Sequence, residues 1–167
     1  MRELALSISS HGLKRLVFVN GHGGNSPALL EVCRDLRTEG IFAVLWQWWL
    51  DPEIQKLLEE LFQSRGTHAG AIETSIIWHI DKSLVRIDKL EEAARGASEV
   101  YGVIKHGAQL PFDTIDFSES GATLDPRESD PKKGEQLFNA AKAKLIELIR
   151  WLEAAPEGEL KLKGHKP

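Results

Sequence analysis

The sequence contains one cysteine. Cys33 on its own excludes an internal disulfide framework and suits a reducing, cytoplasmic setting. No apolar run approaches the ~20 residues a helical membrane span needs. The first residues, "MRELALSISSHGLKR", lack the apolar h-region of a signal peptide. There is no excess of positive charge: 21 Lys and Arg against 25 Asp and Glu leave a net charge of −4. Nucleic acid is therefore not the expected partner. Internal repeats, low-complexity blocks and interdomain linkers are also absent. What remains is a 167-residue chain, 42% hydrophobic and 28% charged, as a soluble domain with a real core should be. A single domain over residues 1–155 is expected, followed by a tail, 156–167, that frays.

Apolar spacing predicts a helix over 2–10, with Leu4, Ile8 and Leu6 on its apolar side. "RLVFVN" (15–20) reads as a buried strand, rich in β-branched and aromatic residues. Ser26 suits an N-cap and Pro27 the first helical position of the next helix. Leu29, Leu30, Cys33 and Leu36 mark that helix's apolar face, where Cys33 is packed, and Gly40 suits its left-handed end. "IFAVLWQWW" (41–49) reads as a second buried strand. Asp51-Pro52 opens a helix with Ile54, Leu57, Leu58, Leu61 and Phe62 on one face. Residues 65–70 read as a loop, 71–80 as a helix and 84–88 as a short strand. Glycines and Pro111 break up 89–125, so long loops with one short helix are expected there. Asp130-Pro131 opens a final helix with Phe138, Ala141, Leu145, Leu148, Ile149 and Leu152 on one face. Alternating strands and helices imply an α/β fold with a mainly parallel sheet. In such sheets, sites form beyond the C-terminal ends of strands.

"VNGHGGN" (19–25) lies at such an end. A glycine loop before a helix N-terminus can hold a phosphate. Yet the third glycine of G-x-G-x-x-G is absent, and no Gly-Lys-Ser/Thr follows. The next strand ends in Trp46, Trp48 and Trp49 where an acidic ribose partner would stand. A metal is the other reading, because neutral imidazole is a common ligand for zinc and related ions. "HAGAIETS" (68–75) adds a histidine in a loop and Glu73 one turn into a helix. The plain alternative is that His22 caps a turn and Glu73 pairs with a surface cation.

"VNGHGGN" followed by "HAGAIETS" resembles the creatininase family of metal-dependent amidohydrolases. "SISSHGLKRLVFVNGHGGN" resembles that family's helix-strand-loop segment. "ESGATLDPRESDPKKGEQL" resembles its Gly-x-x-Gly-Asp-Pro loop and the following helix. The likeness runs across most of residues 4–150. It implies a three-layer α/β/α sandwich with a dinuclear zinc or manganese site, acting on a small-molecule amide. By motif match, His22 would bind one metal and Glu73 the other. His68 would be the catalytic histidine, carrying a proton to the leaving nitrogen. A metal-activated water would attack the amide carbon of a non-peptide or cyclic C–N bond. Gly23, Gly24 and Asn25 would orient ligands or hold the oxyanion. Trp46 and Trp48 would share one face of their strand and wall the pocket. A homo-oligomer, hexameric by resemblance, is implied.

The sequence also departs from the family. It contains no Glu-x-His-Gly, the family segment that carries further ligands, and opens at what should be a helix in mid-fold. His11, His79 and His106 stand in no matching motif, and His79 lies on another side of its helix from Glu73. "GATLDP" has Leu124 where the family pattern has its second Gly. A catalytic zinc site generally needs three protein ligands. The expectation is a site incomplete within this chain: a truncated product, a chain completed by a partner polypeptide, or an inactive member serving as a binding subunit.

Overall fold

A computed structural model describes residues 1–63, 68–98 and 102–163. The chain divides into two compact units, Met1–Asp51 with Ala141–Pro167, and Pro52–Ala140.

The first unit is a βαβ layer with helices on both faces. Helix α1 is Arg2–Ser10, strand β1 Arg15–Val19, helix α2 Ser26–Thr38 and strand β2 Phe42–Trp46. β1 and β2 pair in parallel, from Arg15 opposite Phe42 to Val19 opposite Trp46. The two-residue period of the strands sorts their side chains. Leu16, Phe18, Ala43 and Leu45 pack with Cys33 and Leu36 of α2 and Ala5 of α1. Val17, Phe42 and Val44 pack on the other face against Leu152, Ala155 and Leu160. That second layer is the C-terminal part of α6 (Pro131–Ala154) and the short α7 (Glu157–Leu160). The expected three layers are thus present within this unit.

Helix α2 stops in a Schellman motif. Gly40 takes φ +74°, its N–H bonds the Arg37 carbonyl, and Ile41 N–H bonds the Leu36 carbonyl at 3.0 Å. Ile41 and Leu36 are both buried, which supplies the apolar contact of that motif. Burial also pushes the Cys33 thiol pKa up, so this cysteine is a packing residue.

In the second unit, α3 is Pro52–Leu61, α4 Ala71–Ile80 and α5 Leu90–Arg95. Strands β3 (Val103–Lys105) and β4 (Ala108–Leu110) form an antiparallel hairpin. Ile54, Leu58 and Phe62 of α3 are buried, as their spacing predicts. The start of α6 presses on α4: a Cβ on Gly134 would lie 1.9 Å from the Ser75 carbonyl oxygen. No side chain fits there, so glycine is what lets the two helices approach.

Several expectations are corrected. Residues 84–88 are not a strand; 3-10 turns occupy Lys82–Leu84 and Ile87–Lys89. The Asp81 carboxylate accepts from Ser83 N–H and Oγ, which starts a turn in place of a ladder. Those same bonds hold the Asp81 carboxyl below its usual pKa. The β3–β4 hairpin stands where only loops and a helix were expected. Its two-residue turn is His106-Gly107, with φ +50° and +82°, the backbone a tight hairpin demands. Asn25, not Ser26, is the N-cap of α2: the 3-10 turn Gly23–Asn25 runs straight into the helix, so Ser26 is its first residue and Pro27 its second. The second strand ends at Trp46, and Trp48–Leu50 is a 3-10 turn. The strand alternation therefore does not extend to Trp48.

The buried face of α1 is Ala5 and Ser9, while Leu4 is exposed. Small side chains there allow α1 to lie close to α2. Leu30, Phe138 and Ile149 are also exposed; the long α6 buries Leu152, as its spacing predicts, and Leu137 in place of Phe138. The tail is not wholly frayed, because α7 forms and Leu160 is buried on the sheet. Residues 65–67 of the expected loop and 164–167 of the tail lie outside the described residues.

Candidate functional site

The His22 loop belongs to the first unit. After β1 the chain turns through Gly21 and His22 into a 3-10 turn, Gly23–Asn25, that feeds α2. The loop is exposed. Its three glycines are not equivalent. A Cβ on Gly21 or Gly23 would meet open space, whereas one on Gly24 would lie 2.6 Å from His22 Nε2. The imidazole lies across Gly24, so this glycine sets where the ring sits.

The loop is held by a residue the sequence motif did not single out. Asn20 is buried, and its N–H extends the ladder by bonding the Trp46 carbonyl at 3.0 Å. Its side chain grips the loop from both ends. Oδ1 accepts from His22 N–H at 3.2 Å, and Nδ2 donates to the His22 carbonyl at 2.9 Å. Nδ2 also faces Gln47 Oε1 at 3.2 Å, which accepts from Ser26 Oγ as well. Asn25 Nδ2 donates to Asn20 Oδ1 at 3.4 Å. The amide of Asn25 is thereby turned toward the inside of the loop. Gln47 follows Trp46 directly, so this network ties the histidine loop to the end of β2. Trp48 and Trp49 next to it pack edge to face, with ring centroids 5.7 Å apart. The missed signal was Asn20 itself, an amide at the last position of an apolar strand.

His68 and Glu73 belong to the second unit. His68 is anchored through its backbone: its carbonyl accepts from Thr123 N–H at 2.8 Å and Thr123 Oγ1 at 3.2 Å. Thr123 is buried and also bridges to Ser98. The "GATLDP" stretch is thus the strap that fixes His68. Glu73 Oε2 accepts from Ala69 N–H at 2.7 Å. The carboxylate holds the loop before its own helix, where the plain reading had paired it with a cation. Ala69 itself sits at φ +48°, a left-handed conformation that favours glycine. Leu124 is likewise left-handed at φ +63°. The family pattern's glycine at that position has a backbone reason, which leucine meets at a cost of about 1–2 kcal/mol.

Below the strap, Asp125 accepts from Arg127 N–H and guanidinium, and that pairing holds its carboxyl below the usual range. Ser75 Oγ donates to the Ala71 carbonyl at 2.6 Å and accepts from Asp130 N–H at 3.0 Å. α4, the strap and the start of α6 are one packed body.

His22, Gly23, Gly24, Asn25, Trp46 and Trp48 therefore gather in one unit, and His68 and Glu73 in the other. An imidazole and a carboxylate are donors suited to zinc or manganese. Among the described residues, no group of three or more His, Cys, Asp or Glu side chains is placed to hold a metal ion. The donor types fit such an ion; their number within the described residues does not close a site. Among those residues, no helix is long and apolar enough to cross a membrane.

Comparison with known proteins agrees with the motifs. The family described as "Creatininase: Creatinine amidohydrolase" matches residues 1–149. A mycofactocin precursor peptide peptidase of Mycobacterium ulcerans (strain Agy99) is 31% identical over 149 residues, covering 87% of this chain and 52% of the relative. A creatinine amidohydrolase of Pseudomonas putida is 27% identical over 162 residues, covering 90% and 60%. Among solved structures, a protein of Bacteroides fragilis NCTC 9343 described as a creatinine amidohydrolase matches with a TM-score of 0.72 at 25% identity, over 92% of this chain and 60% of that one. A mutant creatininase of Zn-Zn type and a creatininase with Mn match with TM-scores of 0.67 and 0.68, each at 26% identity, over 93% of this chain and 62% of theirs. The chain thus spans between half and two thirds of the length of these relatives. On the match across residues 1–149 and the shared α/β fold, the chain belongs to the creatininase family.

Proposed function

We propose that this chain carries part of a metal-dependent amidohydrolase site that cleaves a non-peptide or cyclic amide C–N bond. The observation that carries the reading is the His22 loop. An imidazole stands beyond the C-terminal end of a parallel strand, laid across the one glycine whose Cβ would displace it. His22 and Glu73 are the residues that would hold divalent ions, zinc or manganese. When bound, such ions lower the pKa of water and polarise a carbonyl. His68 would carry a proton to the leaving nitrogen, its position fixed by Thr123. The Gly23 and Gly24 N–H groups would face the developing oxyanion, and Asn25 would orient the His22 ligand loop through its bond to Asn20. Trp46 and Trp48 would wall the substrate. This reading needs both units to serve one domain over residues 1–155, which the family match across 1–149 supports. It also needs further donors, as a longer chain or a partner polypeptide would supply, and a homo-oligomer is the assembly the resemblance implies. A cytoplasmic setting suits it.

A second reading is favoured by the donor count: an inactive member that serves as a binding or partner subunit. Metal analysis with amide-hydrolysis assays on creatinine, a formamide and a short peptide separates the two. Near-stoichiometric metal and turnover lost in His22→Ala supports the hydrolase. A folded protein with neither metal nor turnover, alone and together with the polypeptide that supplies the further donors, rejects it. Turnover of the peptide alone would keep the metal site and overturn the substrate class.

A further inference from the structure

We propose that the first unit has a second ligand site, for a small organic anion, at the opposite end of its sheet from the His22 loop. A cavity of about 610 Å³ opens there, lined by Lys14, Arg15, Arg37 and Lys161 with Phe42 and Leu160, among others. Arg15 and Phe42 are the first residues of β1 and β2, whereas the His22 loop follows their last. Helix α2, at 1.5 Å per residue about 20 Å long, separates Arg37 from that loop. The two sites are distinct.

The case rests on the excess of positive charge in the lining and on its apolar wall. Glu157 is the acidic residue in the lining, and it already pairs with Lys161 at 2.9 Å. The other three cations bond neutral groups. Lys14 Nζ donates to Ser9 Oγ at 2.7 Å, Arg15 to the Leu152 and Glu153 carbonyls, and Arg37 Nη2 to the Lys161 carbonyl at 3.2 Å. The lining thus holds four cations against one carboxylate, Glu157, which both Lys161 and Arg15 attract. Arg37 Nε is buried and, among the described residues, has no acceptor. With no accessible surface, Nε is out of reach of a ligand in the cavity, so what Arg37 brings there is its charge. Its guanidinium also lies 5.8 Å from the centroid of the Phe42 ring.

Planar guanidinium donors suit the oxygens of a phosphate or carboxylate. The apolar wall of Phe42, Leu160 and Leu162 suits an organic body behind that head. The ligand class is therefore a small phosphate or carboxylate with an apolar portion. α7 and the residues after it form one wall, so binding would also clamp the C-terminal segment to the sheet.

Thermal unfolding of the whole chain with inorganic phosphate, phenyl phosphate or benzoate tests this, against sodium chloride at equal ionic strength. At about a hundred times its Kd, a bound anion should raise Tm by roughly 5–10 °C. Phenyl phosphate or benzoate should act at lower concentration than inorganic phosphate. Arg37→Gln should lower Tm by a few degrees without anion, since it gives up the bond to the Lys161 carbonyl and the contact with the Phe42 ring, and should abolish the anion shift. Lys14→Gln, an exposed change, should weaken the shift and leave the fold intact. A larger shift with phenyl phosphate than with benzoate assigns the head group to phosphate; the reverse assigns it to carboxylate. No shift beyond sodium chloride, an equal shift in Arg37→Gln, or no gain from the aromatic body overturns the proposal.

Discussion

Two histidine loops in this chain are built by different means. The His22 loop is held by side-chain amides, Asn20 above all, and its backbone keeps to ordinary angles. The His68 loop is held by main-chain bonds to Thr123 and by the Glu73 carboxylate, and it carries Ala69 at φ +48°. In the first, position is set by one buried polar residue and one missing Cβ. In the second, it is set by a strap from 55 residues away in sequence and by tolerated strain. The first kind of loop can lose its geometry through a single amide. The second kind depends on the packing that over-determines it.

The largest way to break the comparison is Gly134→Ala. Its Cβ would collide with the Ser75 carbonyl, so α4 and α6 must part. A loss of about 3 kcal/mol in urea unfolding is expected, borne by the unit that holds His68 and Glu73. Equal stability to the parent would mean the helices are not so close. Asn20→Ala comes next. It strips the grip on His22 and leaves Gln47 held by Ser26 alone, and should cost about 2 kcal/mol.

Glu73 separates structure from chemistry. Glu73→Ala should cost about 1 kcal/mol by freeing the Ala69 N–H. Glu73→Gln keeps an acceptor and should unfold with the parent, while metal uptake falls; metal uptake unchanged in Glu73→Gln would remove it as a ligand. Ala69→Gly should raise stability by about 0.5 kcal/mol, as relief of the left-handed strain outweighs added chain entropy. A decrease would show that the strain argument is wrong. The smallest stability effect is expected at Gly24→Ala, within about 0.5 kcal/mol, because the group displaced is the end of an exposed side chain. Metal uptake should nonetheless drop, since the ring must leave its place.

Much of the first unit was legible because its signals are local. Pro27 after a glycine loop, Gly40 at a helix end and the β-branched "RLVFV" each specify their own backbone. "LVRID" failed because residue composition outvoted Asp81, whose side chain starts a turn. The 103–110 hairpin was hidden in a glycine-broken stretch, although His106-Gly107 is the turn that makes it. Trp48 was misread because a run of tryptophans looks like a strand until the backbone turns away. On the site, Gly24 was visible as part of a motif, but its reason, the imidazole lying over it, was not.

The sequence alone determined the family, the two histidine motifs and the α/β class, because motif residues and apolar periods are read within a few positions. Only the tertiary structure decided that Asn20 reaches Gln47, that Thr123 secures His68 and that four cations line one cavity. Those are contacts between residues far apart in the chain. Such partners are chosen by how helices and strands pack, and no local pattern records that choice.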